Sequence, residues 1–248
     1  MASTTETGHA KNVANFKNLI VVCTGLGSSY NPARASIKTG ELNSKFKIAD
    51  AGIKSLNKLT PLFTNAVNER EKLFAPLKKL AARINSAVAS SDLPSNLLPD
   101  VKTLTRKLTG RRAKPKKDEL PVDTENPGEE KPKKISVSQL SYDSQVQNLG
   151  KLIELLAVQP GYIPNEPDLS VAGLQTFFTQ LDEANAAVIN ARNNVANARI
   201  IRNTELYHPD TGLVRTAKAV KEYIKSGFTI KSPQYKQVSK IVIKKIRS

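Results

Sequence analysis

The side chains whose number and spacing could do chemistry are cationic. Lys102 and Arg106 stand four apart, as do Lys236, Lys240 and Lys244, and side chains at that spacing share one face of a helix. Lys107 adjoins the first set. Arg111, Arg112, Lys114, Lys116 and Lys117 follow it within a few residues, and Lys245 adjoins the second. Such rows suit a nucleic-acid backbone, where each phosphate neutralised adds about 0.9 to the salt slope. The same rows also suit the solvated side of an ordinary amphipathic helix. Tyr235 is the one aromatic among the second set of lysines, so no stacking platform for single-stranded bases is visible, nor a helix-turn-helix or zinc signature.

Other chemistries find less support. His9 lies in an N-terminal tail and His208 at a proline turn, and neither has cysteines or carboxylates at metal-ligand spacing. Cys23 lacks an evident base and reads as an apolar packing residue. Asp50 and Asp182 are the acids that recur at matching places, and they fall on two long helical patterns among polar residues. Arg70, Arg202, Arg83 and Arg215 could bind an anion, but ion pairs or carbonyl contacts between helices explain them more simply. The expectation is no catalytic residue, no metal, no cofactor and no small-molecule substrate. Asn18 to Gly27 resembles a strand entering a glycine-rich phosphate loop. No second strand or acidic residue at the required distance completes a dinucleotide site.

The net charge of +16 points the same way as the cationic rows. Residues 1–110 carry 16 Lys and Arg against 7 acids, 111–134 carry 8 against 6, and 135–248 carry 14 against 9. Both halves are basic, and such a field attracts polyanions without determining a fold. One cysteine excludes an intramolecular disulfide framework. The apolar run Leu19–Cys23 is far shorter than the ~20 residues of a membrane-spanning helix. The opening MASTTETGHAKN lacks the charged and apolar regions of a secretory signal, so a cytoplasmic protein is expected.

These residues ride on elements that occur twice. A shift of 132 positions matches Tyr30 with Tyr162, Pro32 with Pro164, Leu42 with Leu174, Phe46 with Phe178, Arg70 with Arg202 and Arg83 with Arg215, giving 11 identities in 59 ungapped positions. Leu42, Phe46, Ala49, Ile53, Leu56, Phe63, Val67 and Phe74 alternate in steps of about three and four. Leu174, Phe178, Leu181, Val188, Ala191, Val195, Ala198 and Ile201 do the same, so each repeat has one long helix of ~35 residues with a single buried seam. Pro61 should bend the first, and Ser36 and Asp168 should cap the two N-termini. Six Asn between Asn185 and Asn203 should mostly face solvent or a partner.

Shorter helices are expected at Val13–Cys23, about Leu77–Ala89 and Asp100–Leu108 in the first repeat, and at Asn148–Ala157, Gly212–Lys225 and Gln234–Ile246 in the second. Residues 1–11 read as a disordered tail, and 111–136 as a disordered, charged, proline-rich linker. The fold expected is all-α: tandem helical units at 12–110 and 137–248, each a long helix flanked by three shorter ones. Packing the two together as an elongated bundle would cover both seams.

Tyr30-Asn-Pro, the block Asn197 to Asn203, the turn Asp210 to Val214 and Ser232 to Gln237 together resemble an uncharacterised bacterial family of helical proteins, over residues 13–245. That resemblance implies duplication and a bacterial cytosolic origin and assigns no residue a role. Two functions are open at this stage: a non-enzymatic binder of nucleic-acid backbone without sequence specificity, or a scaffold whose long helices associate with copies of itself or with another helical protein.

Overall fold

The computed structural model of the chain describes residues 8–110 and 140–246. It contains α1 (His9–Gly25), α2 (Thr39–Phe74), α3 (Leu77–Ala89), α4 (Leu97–Thr109), α5 (Tyr142–Ala157), α6 (Val171–Tyr207), α7 (Leu213–Phe228) and α8 (Pro233–Ser239). No strand occurs among the described residues, and Asn18 lies in the middle of α1, where a helix over Val13–Cys23 was expected rather than a strand entering a phosphate loop. No helix is long and apolar enough to cross a membrane among those residues. Residues 1–7 of the tail expected at 1–11 and the whole of the linker expected at 111–136 lie outside them, whereas residues 9–11, expected in the tail, are the first turn of α1.

The chain forms two compact units, and the division falls inside both long helices. The first, here the terminal unit, comprises Met1–Thr64 and Asn190–Ser248; the second, the central unit, comprises Asn65–Ile189. Each takes the opening elements of one expected repeat and the closing elements of the other. The boundaries anticipated from the sequence, in the linker, are therefore not where the compact units divide.

The terminal unit is built on Phe16, Leu19 and Cys23 of α1, Leu42 and Ala49 of α2, Leu206 of α6, Leu213, Val220 and Ile224 of α7, and Val238 of α8. Fully burying such a side chain contributes roughly 1.5–3 kcal/mol. A smaller cluster farther along joins Leu56, Leu59 and Phe63 of α2 to Val195 and Ala198 of α6. The seam then reaches half-buried Arg202, whereas Ile201, expected in the seam, is 60% exposed. The central unit packs Phe74, Leu77, Ile84, Val101 and Leu108 from α2 to α4 against Leu149, Leu152, Leu156, Leu174 and Leu181 from α5 and α6.

One hydrogen bond recurs at the entry to each long helix. The buried Tyr30 hydroxyl donates to the Ile37 carbonyl at 2.6 Å, and Tyr162 donates to the Leu169 carbonyl at 2.9 Å. Capping departs from expectation. Ser170 accepts from Gly173 N–H at 3.0 Å to cap α6, while Asp168 is engaged by Arg83. Ser36 lies before α2 and accepts from Arg34 Nε. Gly173 is required at the α6 entry, because a Cβ there would stand 2.0 Å from the Pro167 carbonyl oxygen. α2 continues as one helix through Pro61, which has no N–H to offer the carbonyl one turn back.

Helix α8 is shorter than expected, ending at Ser239, and residues 242–246 are not helical. Ile241 and Ile243 turn partly inward while Val242 and Lys244 stay exposed, the period-2 alternation of extended chain. Asn12 of α1 grips this segment at both polar groups of one residue: its Nδ2 donates to the Lys244 carbonyl at 2.7 Å and its Oδ1 accepts from Lys244 N–H at 3.2 Å. Asn15 Nδ2 donates to the Val242 carbonyl at 2.7 Å, and Lys221 Nζ donates to the Ile241 carbonyl. With these partners the β-branched Ile-Val-Ile run leaves the helix without stranding its main chain.

Candidate polyanion-binding surface

Sorting the charged residues by compact unit rather than by position along the chain separates them sharply. Among the described residues the terminal unit carries 20 Lys and Arg against 5 Asp and Glu, a net charge of +15. The central unit carries 9 against 10, a net charge of −1. The two halves of the sequence hid this, because each compact unit draws on both.

The expected site residues fall on both sides of that division. Lys102, Arg106 and Lys107 are exposed on α4 of the central unit, Arg106 with its Nε on the Lys102 carbonyl and a terminal nitrogen on Thr103 Oγ1. Arg111, Arg112, Lys114, Lys116 and Lys117 lie outside the described residues. Lys236, Lys240, Lys244 and Lys245 are exposed in the terminal unit, but they do not form one helical stripe. Lys236 is on α8, Lys240 follows its last residue, and Lys244 and Lys245 are in the extended segment.

Further cations of the terminal unit, all but Arg215, were not singled out from the sequence. Lys47, Lys54 and Lys58 are exposed at steps of seven and four on α2, as are Arg192 and Arg199, seven apart, on α6, and Arg215 and Lys218, three apart, on α7. Their seven-residue and three-to-four-residue spacing is the signal that could have found them. Lys54 bonds Asp50 at 2.7 Å; the acids are otherwise too few to neutralise this surface.

Two half-buried cations of this unit, Lys221 and Arg202, are structural. Burial lowers the Lys221 pKa, and its ammonium is spent on the Ile241 carbonyl. Burial likewise lowers that of Arg202, whose Nε and one terminal nitrogen reach Asn203 Oδ1 at 3.1 and 2.8 Å. Beside it, Tyr207 accepts from Asn12 Nδ2 at 3.3 Å and lies 2.7 Å from His9 Nδ1. Burial, and then the charge of Arg202, lower the His9 pKa.

In the central unit the recurrent arginines lock elements together. Arg70 donates to Asn185 Oδ1 at 3.0 Å and lies 3.9 Å from the Tyr142 ring centroid, and Asn185 in turn donates to Asp143. The buried Nε of Arg70 has no hydrogen-bond partner among the described residues. Arg83 forms a two-pronged ion pair with Asp168, which holds that carboxyl below its usual range. An open groove beside this pair is lined by Ser86, Ser90, Ile163 and Asn165.

Cys23 and His208 each have a structural position. Cys23 is buried and its thiol is pushed up to about 11 by that burial, against the weaker effect of a hydrogen bond with Tyr30. It is therefore protonated at neutral pH. His208 Nδ1 accepts the Asp210 and Thr211 N–H groups at 3.3 Å and organises a turn. No group of three or more His, Cys, Asp or Glu is disposed to hold a metal among the described residues. No protein-family model, curated protein or solved structure matches the chain.

Proposed function

We propose that the protein is a non-catalytic binder of nucleic-acid backbone and that its terminal unit carries the binding surface. The concentration of charge, +15 against −1, is the observation that supports this reading. A surface so weakly provided with acids attracts a polyanion by releasing its counterions. The terminal lysines Lys236, Lys240, Lys244 and Lys245 belong to it, together with the exposed cations of α2, α6 and α7. Lys102, Arg106 and Lys107 sit in a nearly neutral unit and contribute less.

The same reading includes an internal duplication whose two copies exchange their closing elements. It is supported by the matched tyrosine hydrogen bonds and by the composition of the compact units. Kinship with the bacterial helical family belongs to this proposal and assigns no residue a role.

The test is fluorescence anisotropy of the full chain with labelled mixed-sequence duplex DNA over a salt series. Tight binding at low salt, falling linearly in log affinity against log salt with a slope of several times ~0.9, is expected. Binding that does not respond to salt, or none at low salt, contradicts the proposal.

A further inference from the structure

We infer that the outward side of α6 between Asn190 and Ile201 reads A·T base pairs in the major groove of duplex DNA, an inference that rests on the polyanion-binding function just proposed. In this stretch α6 turns Val195 and Ala198 toward Leu56, Leu59 and Phe63 of α2. The opposite side presents Asn190, Asn193, Asn197 and Ile200 at steps of three, four and three, all exposed, with Ile200 64% accessible. Among the described residues nothing engages these three amides.

A solvated helix side does not account for that composition. Asn is among the weaker helix formers, and Ala, which the same helix uses at 186, 187, 191, 196 and 198, would serve a bare surface better. An outward Ile is likewise unneeded for solubility. Both side chains suit one ligand. An Asn amide donates to adenine N7 and accepts from its N6 amino group, and an apolar side chain packs on the thymine methyl.

The remaining features agree. Arg192 and Arg199 lie on a flank of the same helix, where phosphate contacts set register while base contacts set sequence. A helix about 10–12 Å across with its side chains fits a groove about 12 Å wide. The deep, narrow major groove of double-stranded RNA does not admit it, so the duplex is DNA.

Anisotropy at fixed salt with A·T-rich and G·C-rich duplexes of equal length, and with the A·T-rich duplex carrying 7-deazaadenine, tests this. Wild type is expected to favour the A·T-rich duplex by roughly tenfold, a fair yield for one bidentate contact, and to lose most of that on 7-deazaadenine, which lacks the N7 acceptor. Asn193→Ala with Asn197→Ala exchanges poor helix formers for the best one, so the helix persists; this variant, which keeps Asn190 and Ile200, is expected to lose most of the A·T preference with an unchanged salt slope. Equal affinity of wild type for the two duplexes, with steep salt dependence, overturns base reading and leaves backbone binding standing. A preference undiminished in the double variant or on 7-deazaadenine also overturns it, and absence of binding overturns both.

Discussion

Tyr30 and Tyr162 do the same work by the same means: a buried phenol satisfies a carbonyl just before a long helix. Burial raises both phenol pKa values, that of Tyr162 to about 12, so each stays a donor at physiological pH. Replacing either with Phe removes the donor and leaves a buried carbonyl unpaired, which costs about 1–3 kcal/mol. A fall in urea midpoint of similar size for Tyr30→Phe and Tyr162→Phe is expected, and no loss in either would contradict the assigned role. His9 makes a pH prediction. Its pKa is lower folded than unfolded, so the folded state resists the proton. That contribution to stability is present above the unfolded value of about 6.5 and is lost as pH falls below it. Thermal unfolding of wild type and His9→Gln should differ in slope between about pH 7 and 5, wild type being the steeper; parallel profiles would remove His9 from the account.

Among the elements, the helices were legible because three-and-four spacing dictates them whatever their surroundings. α3 was anticipated at its observed limits, and both long helices to within a few residues. The C-terminal segment was not. Lysines at 236, 240 and 244, with Ile241 between the last two and Ile246 after them, satisfy a helical pattern, while Ile241, Val242, Ile243 and Lys244 also satisfy an alternating one. What decides between them is remote in sequence: Asn12 and Asn15 on α1, which take up main-chain groups of 242 and 244. No local reading of the C-terminus could weigh those partners. Asn12→Ala should therefore free residues 241–246 without unfolding α1, seen as faster amide hydrogen exchange there at unchanged helical circular dichroism. Undisturbed exchange in 241–246 would show that apolar packing alone holds the segment.

For the molecule as a whole, net charge was legible and its location was not. The halves of the chain are comparably basic, and only the interleaving of both in each compact unit brings Lys47, Arg192, Lys218 and Lys236 into one unit while leaving Arg83 and Asp168 in the other. Sequence order thus placed candidate residues correctly on exposed helices at Lys102 and Arg106, and gave no reason to rank them below Lys236. In the proposed function the rank comes from folding, through the company each lysine keeps.

The most direct measurement of that claim compares salt slopes for duplex binding by two full-length variants that each lose three positive charges. Neutralising Lys236, Lys240 and Lys244 to Gln should lower the slope by about one to three relative to wild type, at ~0.9 per lost phosphate contact, whereas neutralising Lys102, Arg106 and Lys107 should leave it nearly unchanged. Equal losses from the two, or a larger one from the second, would contradict a binding surface confined to the terminal unit.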